Sequence, residues 1–413
     1  MNSSSSSRWR RGAAAALLVA GIAAGGASLA QESVRPEIGK PLQAAQEMIK
    51  AGRYREALGK VREAEAAGAR NANETYLIER MRLAAASGAG DAETAARSFD
   101  ALSGSGRIQP AEKLKMMESI AGSYYRAQQY PKAMQWSQRY LREGGTSPAI
   151  RTMLIQSQYL SGDFAGASKE LVAEIQGAER AGTTPGEDRL KLLLNAASKQ
   201  GDNNAYVFAM ERLVTYYPKK EYWVDLLSRM QRKPGFSDRL SLDAYRLSLA
   251  TGSMSAAADF MEMAQLALQA DLASEGKVVI DKGIASGALT TGAQADRAKR
   301  LKALVDKKLA EDAASRAEDE KQAVAAKSGD ALVSLGMYSV YSGQAAKGVQ
   351  LMQQGIAKGG LKRPEDAKLH LGIAQLAAGD KARAQATFKT VQGTDGTADL
   401  ARLWALYARR GTA

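Results

Sequence analysis

Most hydrolytic and acyl-transfer chemistry at neutral pH draws on an imidazole or a thiol. This 413-residue chain carries one histidine, His370, and no cysteine. Ser-His-Asp and Cys-His arrangements therefore have at most one place to stand. A zinc site would have to be built almost wholly from carboxylates, which is atypical for that metal. No Gly-rich loop ending in Lys-Ser or Lys-Thr is present to cradle phosphates. Ser274-Glu275-Gly276-Lys277 has the Ser-x-x-Lys spacing of serine acyl-enzymes, but no Lys-Thr-Gly triplet occurs to complete such a site. The residue types point away from an enzyme, with no cofactor and no metal expected.

The elements that would position any site are helical. Hydrophobic residues make up 45% of the chain but aromatics only 6%, and there are 9 prolines. Ala, Leu, Lys, Arg, Glu and Gln dominate, the residues that lose least freedom in a helix. Runs with strand-like alternation are nearly absent, Lys277-Val278-Val279-Ile280 being the best, and its surroundings read as helix. The first thirty residues stand apart. Arg8, Arg10 and Arg11 precede an apolar run from Gly12 to Ala24, and Ser28-Leu29-Ala30 offers the small residues a signal peptidase reads. That order predicts a signal peptide over 1–30, cleavage after Ala30 and a mature chain beginning at Gln31, hence a periplasmic, exported protein. The apolar run is too short to span a bilayer, and no later segment reaches that length. Without cysteine, neither a lipid anchor on the mature chain nor a disulfide is expected.

The formal charge is +13, and loss of the three leader arginines leaves +10. In an exported chain this argues against nucleic acid as a partner and leaves room for peripheral contact with anionic lipid, acidic glycan or an acidic protein. The basic residues are scattered apart from pairs such as Lys219-Lys220 and Lys307-Lys308, as on a solvated surface.

Internal self-similarity organises the rest. Gly283-Ile284-Ala285-Ser286-Gly287-Ala288-Leu289 returns as Gly355-Ile356-Ala357-Lys358-Gly359-Gly360-Leu361, and Leu335-Gly336 returns as Leu371-Gly372. Small residues at Ala45 and Ala57, at Ala121 and Ala133, and at Gly372 and Ala384 allow close approach of two antiparallel helices, with large apolar residues at i, i+3, i+4 and i+7 around them. Gly90-Asp91, Gly162-Asp163, Gly201-Asp202 and Gly379-Asp380 each read as the turn that links the two helices of one pair. The pattern resembles the tetratricopeptide repeat. Eight approximate units are legible, two of them imperfect: one whose first helix reads as irregular before Gly90, and one beginning at Tyr222-Trp223 with Pro234-Gly235 at its turn. The resemblance implies an all-α, tetratricopeptide-like helical-hairpin solenoid ending in a capping helix that carries Trp404, Tyr407 and Ala408. Its parts are repeats over 31–292, a long polar helix or spacer over 293–328, and a C-terminal pair with the cap over 329–413. In 293–328, Leu301, Leu304, Val305 and Leu309 give an apolar stripe to the first half only, so the second half is expected to project.

In such repeats the first helices line a concave face that binds partners. Lys191, Asn195 and Lys199 recur at i, i+4 and i+8 there, opposite Leu193, Leu194 and Ala197. They form the candidate partner-binding stripe. Lys191 with Asn195 is similar to part of the clamp by which some family members hold a peptide carboxylate, but Asp225 stands where the next repeat should supply Asn. Leu369, Ile373 and Leu376 form an apolar groove expected to be filled by the Trp404 helix, while His370 falls at a surface or groove position. The run Tyr216-Tyr217-Pro218-Lys219-Lys220-Glu221-Tyr222-Trp223 reads first as a tight repeat junction. It is also similar to a run in tetratricopeptide proteins that accompany TonB-type energy-transduction components. The expected role is a non-catalytic periplasmic scaffold for protein partners of an envelope complex, with a place in proton-driven outer-membrane uptake implied by that second resemblance. The alternatives are an adaptor for polysaccharide export or cell-wall assembly and, from another class, an envelope hydrolase. Solenoid helices offer a hydrolase no evident cleft for its carboxylates.

Overall fold

The computed structural model describes residues 34–409. The expected signal peptide and its cleavage site lie outside them. Among the described residues there are twenty α-helices and no strand. Contacts gather the chain into two compact units: one runs to Glu174 and includes Ala196–Gly201, and the other takes Ile175–Asn195 and everything from Asp202 onward.

In the first unit α1 (Pro36–Lys50) pairs with α2 (Tyr54–Glu65), α3 (Ala72–Ala89) with α4 (Ala92–Ser103), and α5 (Pro110–Arg126) with α6 (Tyr130–Arg142). Next come α7 (Pro148–Leu160) and α8 (Phe164–Arg180), the latter entering the second unit. The small positions meet as expected: Ala45, Ala57, Ala121 and Ala133 are all fully buried. Phe99 and Trp136 meet edge to face, 5.2 Å apart. The helix α3, expected to be irregular, is regular. Asn71 accepts from the Glu74 amide at 2.8 Å and Glu74 accepts from the Asn71 amide at 3.1 Å, a reciprocal cap that satisfies two otherwise orphaned donors. Arg35 reaches the same carboxylate at 2.9 Å, and Glu74 is buried. That pairing and the caps pull the Glu74 carboxyl down to about 2.

The Gly-Asp turns work by division of labour. At Gly90 the chain takes φ +79°, a left-handed conformation that only glycine adopts freely, and the following amide reaches back to Ala86 O at 2.9 Å. Asp91 then caps α4 by accepting from the Thr94 amide at 3.0 Å. Asp163, Asp202 and Asp380 cap α8, α10 (Asn203–Tyr216) and α19 (Lys381–Phe388) in the same way. Two turns keep this geometry without glycine: Gln128 and Asp271 sit at φ +58° and +56°.

The second unit holds part of α9 (Glu187–Gln200), then α10, α11 (Lys220–Gln231), α12 (Ser241–Thr251), α13 (Ala257–Gln269) and α14 (Ala273–Ala285). The turn expected at Pro234-Gly235 is a longer connection that includes a short 3-10 turn at Asp238–Leu240. Then come α15 (Gly292–Ala325), α16 (Asp330–Tyr341), α17 (Ala345–Lys358), α18 (Pro364–Ala377), α19 and α20 (Thr397–Ala408). Residues 293–328 belong to this unit. The first half of α15 buries Ala298, Leu301 and Val305 beside α13 and α14. Its second half does not project: Ala323 packs with Leu332 and Leu351, Glu320 pairs with Lys347 at 2.9 Å, and Arg316 lies over the Tyr338 ring. The last helix fills the groove on α18. Leu369 and Ile373 are buried, and Trp404 stacks on Phe388 at 6.3 Å.

Candidate functional site

Lys191, Asn195 and Lys199 all lie exposed on α9, whose opposite face buries Leu190, Leu193, Ala196 and Ala197 completely. Their surroundings differ. Lys191 Nζ donates to Glu187 Oε1 at 2.9 Å. Lys219 Nζ at 2.6 Å and the Tyr222 hydroxyl at 2.5 Å converge on that same oxygen from α11 and its approach. These three donors, Lys219 first, hold the Glu187 carboxyl down to about 2. Lys199 Nζ lies 5.3 Å from the centre of the Phe164 ring, a cation–π distance.

The aromatic run 216–223 is a repeat junction. Trp223 is fully buried, the Tyr217 hydroxyl donates to Pro185 O at 2.9 Å, and the Tyr216 hydroxyl donates to Glu179 at 3.1 Å. Asp225 is engaged by the Tyr206 hydroxyl and by Arg229, 3.6 Å away. An acid in that place would repel the carboxylate that a complete clamp binds.

A charged cluster inside the second unit was not foreseen from the sequence. Arg246 on α12 forms a two-pronged pair with Glu275 on α14, Nε to Oε1 at 2.7 Å and Nη2 to Oε2 at 2.6 Å. Its Nη1 donates to Asp243 Oδ1 at 2.6 Å. The same Asp243 oxygen lies 2.9 Å from His370 Nε2 on α18, and Arg246 Nη1 lies 3.2 Å from that nitrogen. Tyr341, at the end of α16, lies close enough to Glu275 that burial and this carboxylate push its hydroxyl's ionisation well up. Arg246, Asp243 and Glu275 are buried, whereas the His370 side chain keeps 20% exposure. Burial alone would raise the Asp243 carboxyl, but the charges and hydrogen bonds of His370 and Arg246 override it and hold it well below the usual range. Burial likewise opposes the Arg246 charge, and Glu275 and Asp243 more than offset it. His370, partly exposed at the surface-or-groove position its register gives, thus also joins a largely buried ionic network that its register does not announce.

The cluster lies where the second unit closes on itself. Lys233 reaches Asp399 at 2.7 Å, Arg239 pairs with Asp366 and Asp395, and Arg402 pairs with Glu211. The Ser237 amide donates to Asp395 O at 2.9 Å, and the Trp223 and Tyr407 rings are 6.5 Å apart. Helices α10 and α12 thus meet α20, which caps the far end of the same unit.

The Ser-x-x-Lys match does not form an acyl-enzyme site. Ser274 Oγ donates to Tyr338 O at 3.1 Å, while Lys277 turns outward to Asp281. Among the described residues no group of three or more His, Asp or Glu side chains is placed to hold a metal ion. No helix there is long and apolar enough to cross a membrane.

No protein-family model matches the chain, and no curated protein matches it. Among solved structures, the crystal structure of yeast Tom70 aligns over 90% of this chain and 95% of its own, at 11% identity and a TM-score of 0.24. The crystal structure of the pentatricopeptide repeat protein PPR10 from maize aligns over 89% of this chain and 61% of its own, at 14% identity and a TM-score of 0.27.

Proposed function

We propose that this protein is a non-catalytic, exported scaffold of the cell envelope that holds a protein partner along α9. The observation that carries the reading is the exposed stripe of Lys191, Asn195 and Lys199 on a helix whose other face is fully buried. In the second unit the groove on α18 is occupied by α20, so that surface is spent on the protein itself. Two exposed lysines suit a partner with acidic groups, and binding through them weakens as salt rises, because exposed charges are screened over about 8–10 Å at physiological ionic strength. The short likeness of the 216–223 run to proteins accompanying TonB-type components supports an accessory role in proton-driven outer-membrane uptake as the process served.

The test compares affinity capture from solubilised envelopes by the wild type, by a Lys191→Glu/Lys199→Glu variant, and by a Lys307→Glu/Lys308→Glu control on α15. A protein retained by wild type and control but lost by the α9 variant supports the reading. Loss with the control alone would move the site to α15, and capture of acidic glycan in place of protein would favour the polysaccharide adaptor. Export is tested separately: mass spectrometry of the mature protein should find Gln31 at the N-terminus, and an intact Met1 in a cytosolic form would sink the localisation.

A further inference from the structure

We propose that the outer face of α15 is a docking surface for the same helix of a second copy of this chain, running antiparallel. The buried residues of α15, Ala298, Leu301, Val305 and Ala323, share the side that meets neighbouring helices of its own unit. On another side Ala303, Asp306, Ala310, Ala317, Lys321 and Val324 follow one another at spacings of three, four or seven, so they form one stripe. Every one of them is exposed. Val324, at 58%, is the most exposed large apolar side chain among the described residues. At about 1.5 Å per residue, the stripe is about 30 Å long.

The order of charges along the stripe says what fits there. When a copy of α15 is turned end for end about the midpoint between Ala313 and Ala314, Asp306 faces Lys321 of the second copy. By the two-fold symmetry Lys321 also faces the second Asp306, so the ion pair forms twice. Ala310 falls against Ala317 at the centre, where no bulky side chain holds the backbones apart, and Val324 covers Ala303 at each end. At the rim Lys307 comes near Glu318. A parallel copy would set Asp306 on Asp306 and Lys321 on Lys321, and like charges repel. Within one copy these charges are loosely held. Lys321 is 78% exposed and Glu318 stands 4.0 Å from it, Lys307 is 3.9 Å from Glu311, and Asp306 is 3.1 Å from Lys302. Surface pairs of this kind contribute little, so exchanging them for pairs across the two-fold costs little. Glu320, next to Lys321, is engaged by Lys347. Two helices alone fall short of the roughly 1,600 Å² of a standard interface, so the association is weak and governed by charge.

The contact uses α15 and leaves α9 untouched, so it stands or falls apart from the partner proposed for that helix. Sedimentation equilibrium of the mature protein from about 1 to about 300 μM, the range of weak assembly, should show a monomer–dimer equilibrium. Rising salt should shift it toward monomer. Asp306→Lys and Lys321→Asp each set like charges against each other twice, and each should weaken the dimer by about tenfold or more. Both positions are exposed, so folding, checked by far-UV circular dichroism, is unaffected. An equimolar mixture of the two variants should associate again, because each then meets its complement. The double variant Asp306→Lys/Lys321→Asp should do so alone, with its net charge unchanged. A wild type that stays monomeric throughout would overturn the proposal. So would a single variant that dimerises like the wild type, or a mixture and a double variant that remain monomers.

Discussion

Replacing Arg246 by alanine isolates the cost of the buried network. The substitution removes three short charge-assisted hydrogen bonds, at 2.7, 2.6 and 2.6 Å, and strands the carboxylates of Asp243 and Glu275 with 6% and 0% side-chain exposure. Removing one member of a buried ion pair costs about 3–5 kcal/mol, because the charge left behind loses its main partner without regaining water; Asp243 keeps only His370 at 2.9 Å. At about 2–4 °C per kcal/mol for a domain of this size, the melting midpoint should fall by about 6–20 °C. The assay is thermal unfolding by far-UV circular dichroism at neutral pH, with two companions. Lys233→Ala, which breaks a pair whose lysine is 58% exposed, should cost less than about 1 kcal/mol. A triple variant, Asp243→Leu/Arg246→Met/Glu275→Leu, removes every charge together and should recover most of the loss, since apolar replacement of a whole buried ionic group is often neutral or better. An Arg246→Ala loss below about 1 kcal/mol would refute the reasoning. So would a triple variant as unstable as the single, because the cost would then lie in packing and not in charge.

Small-to-large changes at the helix contacts should also be expensive. A Cβ on Gly372 would lie 2.6 Å from Phe388 Cδ1, and Ala133 is fully buried, so Gly372→Leu and Ala133→Leu should each lose about 1–3 kcal/mol or more in urea unfolding. At the other end of the chain, Glu74 titrates at about 2 in the folded protein against an ordinary 4.5. Its pair with Arg35 thus stabilises fully above about pH 4.5 and fades as pH falls toward 2. Glu74→Gln should lower stability at neutral pH and flatten the acid limb of the stability profile, and an unchanged acid limb would count against the pairing.

What the sequence made legible was local. A glycine that ends one helix followed by an aspartate that caps the next is written in adjacent letters, and Gly90-Asp91 and Gly379-Asp380 behave as read. Gln128 hides the same turn, because nothing in its chemistry announces a left-handed residue, and Asp271 announces it only weakly, as one of the few residue types besides glycine that visit that region. The regularity of α3 is written in the Asn71-x-x-Glu74 spacing, the signature of a reciprocal cap. The charged cluster had a weaker local cue, Asp243 and Arg246 at i, i+3 among apolar neighbours Leu242, Ala244 and Leu247. Their partners, however, lie 29 to 127 residues away. Helical periodicity tells which face of a helix is buried but not which distant helix covers it. For the same reason the second half of α15 read as projecting: its anchors, Leu332, Leu351 and Lys347, are supplied by later helices. The stripe on α9 was legible as a stripe, while the grip of Glu187 on Lys191, Lys219 and Tyr222 required the next helix to be in place.

The closing of the second unit also sets a clock on how this protein is made. Hairpins such as α16 and α17 join residues close in sequence and can form as soon as they emerge, since short loops close at little entropic cost. The Arg402–Glu211 pair joins residues 191 positions apart. At a synthesis rate of about 5–20 residues per second, roughly 10–40 s separate the appearance of the two. Through that interval Phe236 and Leu240 wait for the backbone at Gly396, and Trp223 waits for Tyr407. Until α20 is in place the second unit has an unsealed apolar edge at Phe236, Leu240 and Trp223, so its closure waits on the last helix.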